Sequence, residues 1–348
     1  MRGIVNHEKR NMLIITLAFT FIIWILSGTI ISDIAGSGDQ LNNFYGNLVD
    51  DYGNLFLGTL DQYYTMLIIA LMLPISFVAL MQYRESSISK SGEFLMQLPV
   101  KRGAIFFIRT VIGMMTYTIP WFFFSAEMIL TRWNAQSWYE MKLSVCKKGE
   151  LLLGNDSLLH LCAYLFFIWL SMTVIYVIAV FFQNICKRPW IAAVIGMGAM
   201  IFPAFMVYIM PKIVHVADRI QSAWWTVPFF QKGAILEVEI WDDGVHQNVK
   251  MAVFDNFSQI LLIQILCILL FLAVSFYVFK KSDMTKRNQF MYFAWMEHLF
   301  VWITPFCFAL FVIVIGFKCQ SYEGGIAAAV IATIVYYIVE KRKKRRAA

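Results

Sequence analysis

Eight stretches of about twenty mainly apolar residues recur along this chain, at 12–32, 63–83, 104–129, 158–183, 190–211, 259–280, 299–318 and 325–340. A run of that length crosses the roughly 30 Å hydrocarbon core of a bilayer as a helix. Lipid offers backbone groups no partners, so a strand cannot cross alone whereas a helix can. Composition agrees, with 60% hydrophobic and only 15% charged residues, against about 25% charged in soluble domains. The expected fold is an all-α integral membrane protein, a polytopic bundle of about eight transmembrane helices forming one domain over 1–348.

The links set the orientation. The N-terminal segment holds Arg2, Lys9 and Arg10, and the second link holds Arg84, Lys90, Lys101 and Arg102. Lys187 and Arg188 follow the fourth run. Lys280, Lys281, Lys286 and Arg287 follow the sixth, and the tail runs Lys341 to Arg346. With eight spans all five basic segments fall on one side, which the positive-inside tendency makes the cytoplasm. Both termini are therefore expected to be cytoplasmic. The opposite links, 33–62, 130–157 and 212–258, are mixed or acidic; the first carries Asp33, Asp39, Asp50, Asp51 and Asp61 and no Lys or Arg. Within it, 41–64 reads as a broken amphipathic helix along the interface. The other two read as a small external cap, with Trp133, Trp138, Trp224, Trp225 and Trp241 in an interfacial aromatic belt. The first run, Met12 to Ile31, exceeds a signal-peptide core and reads as a retained anchor.

Several function classes find no support. The net charge of +7 is accounted for by these links, and no nucleic-acid-binding motif is present. The five histidines lie far apart in sequence, His7–Glu8 lacks a second His at metal spacing, and no C-x-x-C occurs. No cofactor or metal site and no catalysis are expected of this chain. Cys162, Cys267 and Cys307 lie in apolar runs, as packing residues would. Cys146 and Cys319 fall in outer links, which leaves a pairing between them open. Inside the runs, Glu127 reads as an interfacial carboxylate, Gln264 as an interhelical hydrogen-bonding group, and Arg109 as a snorkelling cation. Ala192, Ala193, Gly196 and Gly198 suit close helix packing.

One inner link stands out. Residues 84–103 contain SKSGEFLMQLPVKR, followed by an apolar span. Gly92 starts a helix, Glu93 suits its first turn, Phe94, Leu95 and Leu98 share one side, and Pro99 stops it. Lys101 and Arg102 return the chain to the membrane face. The product is a short amphipathic helix under the bilayer, fit to lie on headgroups or in a partner's groove. This stretch, with LPVKR at its core, resembles the coupling segment of bacterial ATP-binding-cassette type-2 (ABC-2) permeases. A looser likeness lies at 277–302, where TKRNQ lacks the Glu and Gly of the family turn.

That resemblance implies a multi-pass permease of the bacterial cytoplasmic membrane, working in pairs as a homo- or heterodimer. The chain itself has no G-x-x-x-x-G-K-[ST] phosphate loop. ATP and Mg would be bound by a separate ABC ATPase subunit docked on 90–102. Glu93, Phe94, Leu95, Leu98, Pro99, Lys101 and Arg102 would form that contact, with Glu85 as a helix-end partner for basic groups. The mostly apolar spans suit export of an amphipathic or hydrophobic cargo, such as a peptide, a lipid-like or a drug-like compound. The surroundings are membrane lipid, with no role for nucleic acid. The alternative is a membrane sensor or scaffold that binds an extracellular peptide and recruits a cytoplasmic signalling partner.

Overall fold

The computed structural model describes residues 2–43, 55–88, 101–137, 156–186, 188–214, 234–242, 245–253, 257–281, 294–318 and 322–347. Its helices are α1 (Arg2–Asn43), α2 (Leu55–Ile88), α3 (Arg102–Asn134), α4 (Leu158–Ile185), α5 (Pro189–Val214), α6 (Phe257–Lys281), α7 (Ala294–Phe311) and α8 (Tyr322–Ala347). A π-helical turn, Val312–Gly316, extends α7. Each of the eight expected spans falls within or largely within one of these helices. Seven are long and apolar enough to cross a membrane, and α5 carries a shorter apolar stretch, Pro189–Phe202. The chain is a multi-pass membrane protein.

Among the described residues, one antiparallel hairpin stands outside the helices, β1 (Ala234–Asp242) and β2 (Val245–Val253). Its register pairs Ala234 with Val253 and Asp242 with Val245, placing Glu237 opposite Lys250. The expected cap over 212–258 thus contains sheet structure. The expected interfacial helix over 41–64 takes another form: α1 runs on to Asn43 and α2 begins at Leu55, so two spans overhang the apolar runs instead. Residues 44–54 lie outside the described residues.

Helix α4 is the hub. It is apolar all round, as a helix buried inside a bundle should be, and from Leu161 to Ile185 most of its side chains are buried. Helices α2, α3, α5 and α6 pack around it, while α1 covers α3 and α2. Helices α7 and α8 pack mainly on each other through Ala309, Leu310, Val314 and Ala328. They lean on the rest at α5, where Phe300 touches the cluster of Cys186, Ala192 and Ile195.

Side-chain pairs fix the directions. Tyr64 meets Ser171 on α4, and Gln82 meets Tyr176, so α2 and α4 run parallel. Phe257 meets Phe167 at a tilt and Phe271 meets Phe181 edge-on, so α6 runs the same way. Phe19 meets Tyr117 while Glu8 meets Arg109, so α1 and α3 are parallel to each other. The Gln82–Arg109 bond and the Trp121–Leu165 bond set α3 antiparallel to α2 and α4. This up-and-down order gathers Lys9, Arg10, Lys101, Arg102, Arg188, Lys280 and Lys281 at one end of the bundle.

Candidate functional site

At that basic end, four helices meet in a buried polar knot. Arg109 of α3 donates from Nε to Glu8 Oε1 of α1 at 2.8 Å, with both side chains almost inaccessible at 1% and 3%. Its Cζ lies 6.0 Å from the Tyr83 ring centroid of α2, within cation–π range. Gln82 of α2 donates from Nε2 to the Arg109 carbonyl at 2.7 Å and accepts at Oε1 from the Tyr176 hydroxyl of α4 at 2.7 Å. Among the described residues Arg109 Nη2 is buried with no hydrogen-bond partner, so the guanidinium is held by one carboxylate contact rather than a bidentate fork.

Gly113 makes the knot possible. A Cβ at that position would lie 2.1 Å from the Tyr176 hydroxyl and 2.3 Å from Gln82 Oε1, closer than any real contact. The glycine therefore opens the space in which a tyrosine hydroxyl and an amide meet against the backbone of α3. One turn earlier Thr110 closes its own hydroxyl onto the Phe106 carbonyl at 2.9 Å. One turn later Tyr117 donates to Thr173 Oγ1 at 3.3 Å.

A second polar group lies at the opposite end. Asp156, fully buried just before α4, accepts from the backbone N–H groups of Phe56 and Leu57, each at 3.1 Å. Its carboxylate thus satisfies two of the free donors of the first turn of α2, where the helix dipole also favours a negative charge. Its carbonyl accepts from Arg132 Nε at 3.0 Å, and Arg132 is itself buried at 2%. Asp61 accepts from the Tyr164 hydroxyl at 3.1 Å. Midway, Gln264 of α6 donates to Ser171 Oγ at 2.7 Å, and that oxygen also pairs with the Tyr64 hydroxyl at 3.1 Å.

The residues expected to dock a partner divide. Glu93, Phe94, Leu95, Leu98 and Pro99 lie outside the described residues, as do Cys146 and Cys319. Lys101 and Arg102 are described and exposed at the start of α3. Arg102 donates from Nη1 to the Lys280 carbonyl at 3.4 Å, close to the negative end of the α6 dipole. Glu85 falls within the last turns of α2. Thus the helices that enter and leave the 89–100 link are bridged about two turns from it, by Gln82 and Arg109.

Other readings are corrected or supported. Arg109 does not snorkel: its head is buried and paired. In the sequence Glu8 shows only as half of a His–Glu pair that lacks a second His. No local pattern could have joined them, since 101 positions separate the two. Gln264 makes the interhelical bond expected of it, and Glu127 is exposed near the end of α3. Ala192 and Ala193 are buried and Gly196 lies against Phe182, but Gly198 faces open space. Cys162 is exposed rather than packed. Burial pushes the Cys186 thiol up to about 12. Trp133 is exposed, as a belt residue would be. Among the described residues no cluster of His, Cys, Asp or Glu is arranged to hold a metal.

Compared with family models, curated proteins and solved structures, the chain finds no match. The likeness to ABC-2 permeases therefore stands on the sequence motif alone.

Proposed function

We propose that this chain is the permease subunit of an ABC exporter in a bacterial cytoplasmic membrane, eight-spanning with both termini inside. A separate ATPase drives it by docking on the 90–102 segment. The observation that carries this reading is the clamp between α2 and α3 about two turns from that segment. Gln82 ties the end of α2 to the Arg109 carbonyl at the start of α3, Tyr176 extends the tie to α4, and Glu8 extends it to α1. A force applied between Ile88 and Lys101 would reach four helices as one body instead of being lost in a loose loop.

Such coupling requires that the ATPase contact differ in free energy between two arrangements of the bundle. Phe94, Leu95 and Leu98 supply the apolar anchors and Glu93, Lys101 and Arg102 the charged rim. The cargo class that suits the mostly apolar spans is amphipathic or hydrophobic. The test is co-purification from native membranes. Leu95→Asp with Leu98→Asp should release an ATPase that wild type retains, while the bundle keeps its thermal stability in detergent. Retention of that ATPase at wild-type levels by the double variant, or purified wild type with no ATPase attached, contradicts the reading.

A further inference from the structure

Between α1 and α3, on the outer wall of the bundle, runs a groove of about 590 Å³. Its α1 wall runs from Val5 to Thr16 and its α3 wall from Phe107 to Ile119. At 1.5 Å per residue these walls are about 17 and 18 Å long. That is close to one leaflet's share, about 15 Å, of the hydrocarbon thickness.

Its chemistry is one-sided. The hydroxyls lining it are those of Thr16 and Thr116, and each is turned onto its own helix. Thr16 Oγ1 donates to the Met12 carbonyl at 2.9 Å and Thr116 Oγ1 to the Ile112 carbonyl at 3.1 Å. The remaining wall presents hydrocarbon, with Leu13, Phe107 and Met115 more than half exposed. One lining residue carries charge. It is Lys9, exposed at the basic end and followed by the exposed Arg10. The nearby carboxylate, Glu8, is already committed to Arg109. Lys9 is the cation at the mouth; Arg10, the next residue, is exposed but does not line the groove.

We propose that this groove holds one acyl chain of an anionic phospholipid, its headgroup phosphate seated on Lys9 at the mouth. A trough as long as one leaflet, with its hydroxyls internally satisfied, suits an alkyl chain and gives a polar solute nothing to bind. A cation at one end selects a negative headgroup. The site touches the α1–α3 pair that carries the Glu8–Arg109 bond, so an occupied groove stiffens the same two helices. The inference needs neither the ATPase nor a direction of transport.

The test is native mass spectrometry of the full chain in detergent, titrated with phosphatidylglycerol or phosphatidylcholine of the same acyl composition. Wild type should bind phosphatidylglycerol more tightly. Lys9→Gln should weaken phosphatidylglycerol binding about fivefold and leave phosphatidylcholine binding unchanged. Val111→Trp, which fills the groove floor, should weaken both lipids. Equal affinities for the two lipids, or an unaltered phosphatidylglycerol affinity in the charge variant, overturns the proposal. So does efficient disulfide dimerisation of Leu13→Cys in membranes, which would give the groove to a second copy.

Discussion

The Glu8–Arg109 pair offers the sharpest energetic test. Both side chains are out of contact with solvent, and the Nε–Oε1 distance is 2.8 Å. Replacing Glu8 by Leu leaves a guanidinium buried against Tyr83 with no countercharge. Breaking a buried pair from one side costs about 3–5 kcal/mol. Placing an unpaired Arg at helix depth in a membrane costs about 2.5–3.5 kcal/mol on insertion scales. About 3 kcal/mol is common to both ranges, and corresponds to a fall of roughly 150-fold in the folded-to-unfolded ratio. Removing both charges, as Glu8→Leu with Arg109→Leu, removes the desolvation cost along with the attraction, so the double variant should recover most of that loss. The assay is SDS-titrated unfolding in mixed micelles for wild type, both single variants and the double variant. A coupling energy of at least about 2 kcal/mol is expected. Additive single effects, with the double variant the least stable of the four, would refute the view that the two charges hold each other.

Three further substitutions probe the same frame. Gly113→Ala places a methyl where Tyr176 and Gln82 meet, so it should cost about 2–4 kcal/mol through overpacking and a lost hydrogen bond. Gly198→Ala, in open space, should be neutral or slightly stabilising in the same SDS titration. Asp156→Ala strips the acceptor from the Phe56 and Leu57 N–H groups. Hydrogen exchange should then rise at the first turn of α2, with a loss of about 1–2 kcal/mol, while exchange at Gln82 and Tyr83 stays unchanged.

The membrane-spanning frame was legible because hydrocarbon thickness imposes a length that composition alone reports. Every apolar run found its helix, and described basic residues of four of the five basic segments gather at one end of the bundle. Helix ends were not legible. Outside the bilayer a helix is free to continue, and α1 and α2 extend into what read as a link. The hairpin had a usable signal in Leu236, Val238 and Ile240 alternating with Glu237 and Glu239, ahead of an Asp-Gly pair at 243–244. Gln264 was readable because an amide inside an apolar run has few options. Arg109 was misread because its relief comes from Glu8 on another helix, and Arg132 and Asp156 carried no sign that they would close around the start of α2. Long-range polar pairing follows from packing, which periodicity does not encode.

The central claim is that the 84–103 segment faces the cytoplasm and is covered there by a partner. It is tested most directly by a single cysteine at Lys101, in a chain whose six native cysteines are replaced. A membrane-impermeant maleimide should leave intact cells unlabelled and label inverted vesicles, with labelling suppressed when the co-purifying ATPase is bound. Rapid labelling in intact cells, or labelling of inverted vesicles that the ATPase does not alter, would contradict it.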